Sequence, residues 1–152
     1  MSSTIISTRP AVPDDAAALA RLSEELDYTT SVEQTSRRLE RVTSTKAHEV
    51  LVAEDAAGTI IGWVHVFAAP RIESALFAEL GGLVVAAGHR RRGAGTRLIA
   101  AAEEAAQRFG ACRLRIRSRV EREPAHRFFK DLGFETVKSQ QVYERLVVEN
   151  RT

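Results

Sequence analysis

Between Gly88 and Leu98 the chain reads GHRRRGAGTRL, three adjacent arginines followed by two closely spaced glycines. Glycine beside a cation is the composition of a phosphate cradle, and spacing separates the kinds of cradle. Gly88 and Gly93 stand five apart, as in a P-loop, but Ala94 occupies the place of the lysine that must follow, so a nucleoside-triphosphate site lacks its central cation. Gly93-Ala94-Gly95 also imitates the start of a dinucleotide fingerprint. There the third glycine position is Leu98, and the residue about 20 further on, where an acid is needed, is Arg115. What remains is a small-residue turn at a helix start. The first N–H groups of a helix have no partner inside it, and the helix dipole adds roughly half a positive charge at that end. Small residues at 93 to 95 let a pyrophosphate touch those groups, and Arg90 and Arg92 can add charge-assisted bonds. The plain alternative is a solvated arginine-rich loop, in a chain where 19 of 22 basic residues are arginine.

Such a turn needs elements to hold it. The 152 residues, 44% hydrophobic and 28% charged, suit one domain over residues 1–152 with a single core. TIISTRP reads as a first strand. PDDAAALARLSEELDY carries acids at its start and Leu19, Leu22 and Leu26 at helical spacing; SVEQTSRRLERVTS is a second helix, opened by Ser31 with Gln34 completing a capping box. The period then becomes extended. HEVLVAED and TIIGWVHVFAA, joined at Ala57-Gly58, predict a β-hairpin, and SALFAELGGLVVAA predicts a further strand interrupted by Gly81-Gly82, the mark of a bulge or a close backbone approach. An alanine-rich helix over Gly93 to Phe109 follows, ended by Gly110. In ACRLRIRS, Cys112, Leu114, Ile116 and Ser118 alternate with Arg113, Arg115, Arg117 and Arg119. A last helix with Ala125, Phe128, Phe129 and Leu132 leads to strand-like FETVKS and QVYERLVV. The order is an α/β plan.

Charge and composition narrow the function. Eleven of the 22 basic residues lie between Arg90 and Arg127, and ten of the 20 acidic ones between Asp14 and Asp55. An anionic ligand is therefore expected in the second half and a cationic one in the first. Nucleic acid is a poor partner, because the basic stretches lack interleaved aromatics and the acidic half repels phosphate. The strand arginines cover either a solvated face or a homodimer contact. Cys112 stands alone, and the four histidines show no metal-ligand spacing, so neither a disulfide nor a zinc site is expected. With no apolar run long enough to span a bilayer and no leader-like start, no membrane partner and a cytoplasmic location are expected.

Arg90-Arg91-Arg92-Gly93-Ala94-Gly95 resembles the R/Q-x-x-G-x-G/A signature of the GNAT superfamily of acetyl-CoA-dependent N-acetyltransferases. The LVV strand before it, the helix after it and the late AHRFFKDLGFE segment resemble that family's other landmarks, in order and over essentially the whole chain. The resemblance implies a mixed, mostly antiparallel sheet with splayed central strands and helices on both faces. It also implies that acetyl-CoA is the co-substrate, with the backbone of Leu83, Val84 and Val85 on its pantetheine arm. Arg90, Arg91, Arg92, Gly93, Ala94, Gly95 and Thr96 would lie on its pyrophosphate. A bulge at Gly81-Gly82 would open the splay.

The implied reaction is direct attack of a primary amine on the thioester in a ternary complex. An amine of pKa near 10.4 costs about 4 to 5 kcal/mol to deliver neutral at pH 7, so a base is useful. Glu79 is the first choice; counting by twos, it shares a side with Leu83 and Val85, unless a bulge at Gly81-Gly82 turns its face. The tyrosine that in the family often protonates the leaving thiolate is replaced by Phe129, and the usual upstream asparagine by Arg122. Tyr143 on the last strand and His65 on the third are the substitutes, unless the thiolate, with a pKa near 8.5, takes its proton from water. The acceptor, a small-molecule or peptide amine, would meet the first two helices and their linker, where Glu24, Glu25, Asp27 and Tyr28 lie. The rival reading keeps the fold as a non-catalytic acyl-CoA-binding or regulatory module, with Phe129 as its best argument.

Overall fold

Alternation along two paired strands creates two apolar faces, and helices cover both. The computed structural model describes residues 5–90, 93–118 and 123–149. Its internal contacts fall into two units, Met1–Arg117 and Ser118–Thr152. The first unit holds a five-stranded sheet in the order β1 (Ser7–Pro10), β2 (His48–Glu54), β3 (Ile60–Ala69), β4 (Phe77–Val85) and β5 (Leu114–Arg115). β1 to β4 are antiparallel, and β5 joins β4 in parallel.

In the β2–β3 hairpin Val50 pairs with His65 and Val52 with Trp63, so these four side chains share one face; Leu51 with Val64 and Ala53 with Gly62 share the other. Leu19 of α1 (Ala16–Glu24) and Leu39 of α2 (Val32–Thr43) close over Val50 and Val52. Burying each such side chain stabilises the fold by about 1.5–3 kcal/mol. The opposite face receives α3 (Ala94–Arg108), whose inner side is mostly alanine and so lets the helix lie close. Gly62 marks the closest approach, since a Cβ there would stand 3.0 Å from Leu98 Cδ1 and 2.8 Å from the Val84 carbonyl. The expected α/β plan, mostly antiparallel with helices on both faces, is the fold observed.

Local signals hold the helix starts. The Ser31 hydroxyl accepts from the Gln34 amide at 3.0 Å and the Gln34 side chain accepts from the Ser31 amide at 3.1 Å, the expected capping box. Ahead of α1, the buried Asp15 carboxylate accepts two bonds from Arg9, at 2.8 and 3.0 Å, and one from the Val12 amide, while Arg9 also donates to Glu54 at 2.7 Å. Arg9 holds the Asp15 carboxyl below the usual carboxylate range. This network ties β1 and β2 to the first helix.

Three expected strands differ. Of ACRLRIRS only Leu114–Arg115 pairs in the sheet. The second unit contains α4 (Glu123–Asp131), and 134–149 form no strand, so Tyr143 lies on none and is 88% exposed. Alternation readies one face of a segment for burial, but a strand also needs a hydrogen-bonding neighbour, which alternation does not supply. Among the described residues no helix is long and apolar enough to cross a membrane.

Candidate active site

The interruption in β4 is a β-bulge. His65 pairs with Gly82 and Val66 with Leu80, leaving Gly81 as the extra residue. Each glycine leaves room for a ring of β3. A Cβ on Gly81 would run into the His65 ring, lying 2.9 Å from its Cε1, and a Cβ on Gly82 would lie 2.8 Å from Trp63 Cη2. The two rings of β3 therefore lie over the bulge.

That extra residue also reverses the face parity along β4. Glu79 pairs with Phe67, on the face of His65 and Trp63, whereas Leu83 pairs with Val64 and Val85 with Gly62, on the face of α3. Counting by twos from Glu79 to Leu83 fails here: Glu79 is opposite to Leu83 and Val85 and shares its face with Val84, the partner of Trp63. The Glu79 carboxylate accepts from Arg117 Nε at 3.0 Å, and the Arg115 guanidinium lies 4.0 Å over the Phe77 ring. Two of the strand arginines thus serve the first unit itself.

β5 pairs with β4 only at Ala78 and Glu79. Beyond them Leu80–Val85 has no strand on that side among the described residues, so alternate backbone N–H and C=O groups, those of Leu83 and Val85 among them, line an edge without a ladder partner, while Val84 bonds to β3. The strand runs into a single tight turn, Ala87–His89, where the Glu25 carboxylate accepts from the Ala87 amide at 2.7 Å. His89 Nδ1 is buried in that turn with no partner among the described residues. Arg90 Nε reaches back to the Val85 carbonyl at 3.4 Å. Arg91 and Arg92 lie outside the described residues.

Gly93 caps α3 with φ at +90°, a backbone region that side-chain-bearing residues rarely enter. The first bond inside the helix is from the Arg97 amide to the Gly93 carbonyl at 2.9 Å, so the amides of Ala94, Gly95 and Thr96 have no partner within it. Ala94 is buried, Gly95 half-buried and Thr96 exposed. The open β4 edge, the α3-start amides that have no partner inside the helix and the His89 nitrogen with no partner among the described residues suit a long ligand with an anionic end.

On the other face, α1, α2 and their linker enclose with the sheet a cleft of about 270 Å³. Tyr28 and Arg38 line it from the helical side, Val50, Trp63 and His65 from the sheet. Trp63 Nε1 is buried without a partner among the described residues. His65 Nε2 meets His48 Nδ1 at 3.0 Å, and the His48 ring stacks on Phe67 at 5.1 Å between centroids. Burial first, and the neighbouring His48 second, push the His65 pKa down to about 4. Glu24, Glu25 and Asp27 are absent from this lining, and Glu25 is engaged at Ala87 instead.

Of the sequence candidates, the structure thus gathers Leu83–Val85, Arg90 and Gly93–Thr96 along one path from strand to helix. Tyr28 and His65 meet in the cleft. Tyr143 belongs to the second unit, as does Phe129, whose ring packs against Phe128 at 5.5 Å and Phe134 at 6.1 Å. Arg122 lies outside the described residues. Sequence reasoning missed His48 and Trp63. The signal available was hairpin register, which sets His48 and His65 two positions apart across β2 and β3 on one face. Among the described residues no group of three His, Cys, Asp or Glu could hold a metal ion.

The model of the acetyltransferase (GNAT) family matches residues 17–134. No curated protein sequence matches the chain. Among solved structures, an aminoglycoside N-acetyltransferase in complex with CoA superimposes with a TM-score of 0.83 at 18% identity, covering 95% of this chain and 97% of its own. A GNAT family acetyltransferase of Staphylococcus aureus gives 0.77 at 22%, covering 92% and 98%. An aminoglycoside 6'-N-acetyltransferase of Acinetobacter haemolyticus gives 0.80 at 19%, covering 93% and 99%. At such identities the likeness to these structures is one of fold.

Proposed function

The chain belongs to the acetyltransferase (GNAT) family, and on that premise we propose that residues 1–152 work as one domain transferring the acetyl group of acetyl-CoA to a primary amine in a ternary complex. The observation that carries this is the β4 edge, which loses its neighbour after Glu79 and leads to the donor-rich start of α3. The backbone of Leu83, Val84 and Val85 would hold the pantetheine arm, and the amides of Ala94, Gly95 and Thr96, with Arg90, Arg91 and Arg92, its pyrophosphate. Acetyl-CoA supplies the activated thioester. Glu79, tied to Arg117 where β4 and β5 part, fastens the narrow end of the split. Since a thiol of pKa near 8.5 can leave as its anion, neither Phe129 nor the exposed Tyr143 is required as a donor.

The cleft would receive the amine, with Tyr28 on its wall. Among the described residues its lining includes Leu19, Leu39, Val42 and Val50, one cation, Arg38, and no carboxylate. Burying several ammonium groups there without counter-charges is costly. This supports an acceptor with one amine on an apolar body rather than the polycationic acceptors of the aminoglycoside enzymes.

Release of free thiol from acetyl-CoA against a panel of arylalkylamines, amino acids, polyamines and aminoglycosides tests both points. Turnover with apolar amines and little with aminoglycosides is expected; preference for aminoglycosides overturns the acceptor class. Phe129, packed among aromatics, favours a second reading, an acyl-CoA-binding module without turnover. That reading stands if acetyl-CoA binds and no amine releases thiol.

A further inference from the structure

We propose that His65 takes the proton from the attacking amine, and that His48 fixes the His65 ring and passes the proton towards solvent. This rests on the acetyltransferase reading above and goes beyond it in naming the proton's path.

Three observations converge on His65. Its ring lines the cleft. It lies directly over Gly81, the bulge residue on the stretch of β4 that has lost its neighbour, so no side chain of residue 81 separates the imidazole from the open edge. Its far nitrogen is already occupied, since His65 Nε2 and His48 Nδ1 lie 3.0 Å apart; in the tautomer that the proposal assigns, Nε2–H donates to His48 and the lone pair of Nδ1 is left on the Gly81 side. Stacking on Phe67 holds the half-buried His48 in place for that bond.

The surroundings keep His65 ready to accept. Burial and the His48 ring favour the neutral imidazole, which is therefore uncharged at pH 7. The other titratable or charged groups near it are Arg38 from α2, Tyr28 from the α1–α2 linker, and Glu79 on β4, whose carboxylate is engaged by Arg117. Among the described residues no carboxylate lines the cleft to trap a proton on the imidazole. His65 alone is thus a weak base, and the second imidazole matters because it carries the proton onward.

The step balances. The amine nitrogen forms a bond to the thioester carbonyl carbon, the C–S bond breaks with its electron pair going to sulfur, and the N–H proton goes to His65 Nδ1. As it arrives, the Nε2 proton moves to His48 Nδ1, and His48 releases a proton from its Nε2 to water. The products are an amide, a thiolate and a hydrated proton.

The test uses the full chain, acetyl-CoA and an amine that the panel shows to be turned over. His65→Gln should lower kcat about 100-fold, with the acetyl-CoA Kd by calorimetry within about twofold of wild type, the margin of an undisturbed site. In His65→Ala, added imidazole should restore part of the lost kcat, a readout that a purely structural histidine would not give. His48→Gln should lower kcat less and move the acidic limb of the kcat profile to higher pH, because the neighbouring ring that depresses His65 is gone. Full kcat in His65→Gln, or a loss in His65→Ala that imidazole does not rescue in a folded protein, overturns the proposal. So does a large kcat loss in Glu79→Gln with none in His65→Gln, which would return the base role to Glu79. A wild-type protein that binds acetyl-CoA but acetylates no amine overturns the transfer reading itself.

Discussion

Replacing Gly81 by alanine tests the bulge, the histidine pair and the proposed chemistry together. Gly81 has no positive φ, so an alanine meets no backbone penalty there, and its effect is steric. The new Cβ would collide with His65 at Nδ1 and stand 2.9 Å from Cε1. The pairings of Leu80 with Val66 and of Gly82 with His65 hold the backbone on either side of Gly81 to β3, so the imidazole must turn or shift. Overpacking of this kind costs about 1–3 kcal/mol. Breaking the 3.0 Å His48–His65 bond adds about 0.5–1.5 kcal/mol. A total near 2–4 kcal/mol corresponds to a fall in Tm of roughly 5–12 °C for a chain of this size. A catalytic group displaced by about 1 Å loses on the order of 100-fold in rate. Thermal unfolding and thiol-release kinetics on the same preparation read both numbers. Gly110→Ala, which adds a Cβ in open space at φ +86°, is the control: it should lose only about 1 kcal/mol to backbone strain and keep its kcat. If Gly81→Ala melts within 1 °C of wild type, roughly 0.3 kcal/mol, and keeps full kcat, the ring does not lie over the bulge and the reasoning fails.

Other consequences are as direct. Gly93→Asp puts a strained φ and a negative charge at the start of α3, and acetyl-CoA binding measured by calorimetry should weaken at least about 10-fold. Asp15→Asn leaves Arg9 without its buried ionic partner, and urea unfolding should show a loss of about 1–3 kcal/mol. Acid should destabilise the fold through two groups. His65 is held at about 4, so below its ordinary value of about 6.5 the unfolded chain binds a proton that the folded chain resists; this stabilisation is full above pH 6.5 and is lost as pH falls towards 4. Asp15, held below the carboxylate range, contributes stability present above its unfolded value and lost as pH falls through the folded one. Urea titrations at pH 7, 5 and 4 should therefore show falling stability, and His65→Gln should flatten the part between 6.5 and 4.

Much of this was legible before any coordinates, wherever a local pattern and its physical cause lie within one element. The capping box at Ser31 needs two residues three apart; the αL cap at Gly93 needs one residue without a Cβ; the face of α3 needs only a period of 3.6. The bulge at Gly81-Gly82 was legible too, because paired glycines inside a strand have few other uses. Legibility ended where an outcome depended on a partner. Parity along β4 stayed open for Glu79, because which of two glycines becomes the unpaired residue is decided by what β3 puts opposite them, here His65 and Trp63. Which acids of the first half face the cleft was likewise beyond the sequence: Glu24, Glu25 and Asp27 are absent from its lining and Glu25 accepts from a backbone amide, because helix packing decides which side chains face inward. By itself, then, the sequence determined the elements as far as α3, their apolar faces and the glycine-capped turn that opens α3, since each follows from short-range sterics and periodicity. Tertiary structure alone decided that His48 meets His65, that Arg117 holds Glu79 and that β4 loses its neighbour after residue 79, because hairpin register and strand divergence are set by contacts between residues distant in the chain.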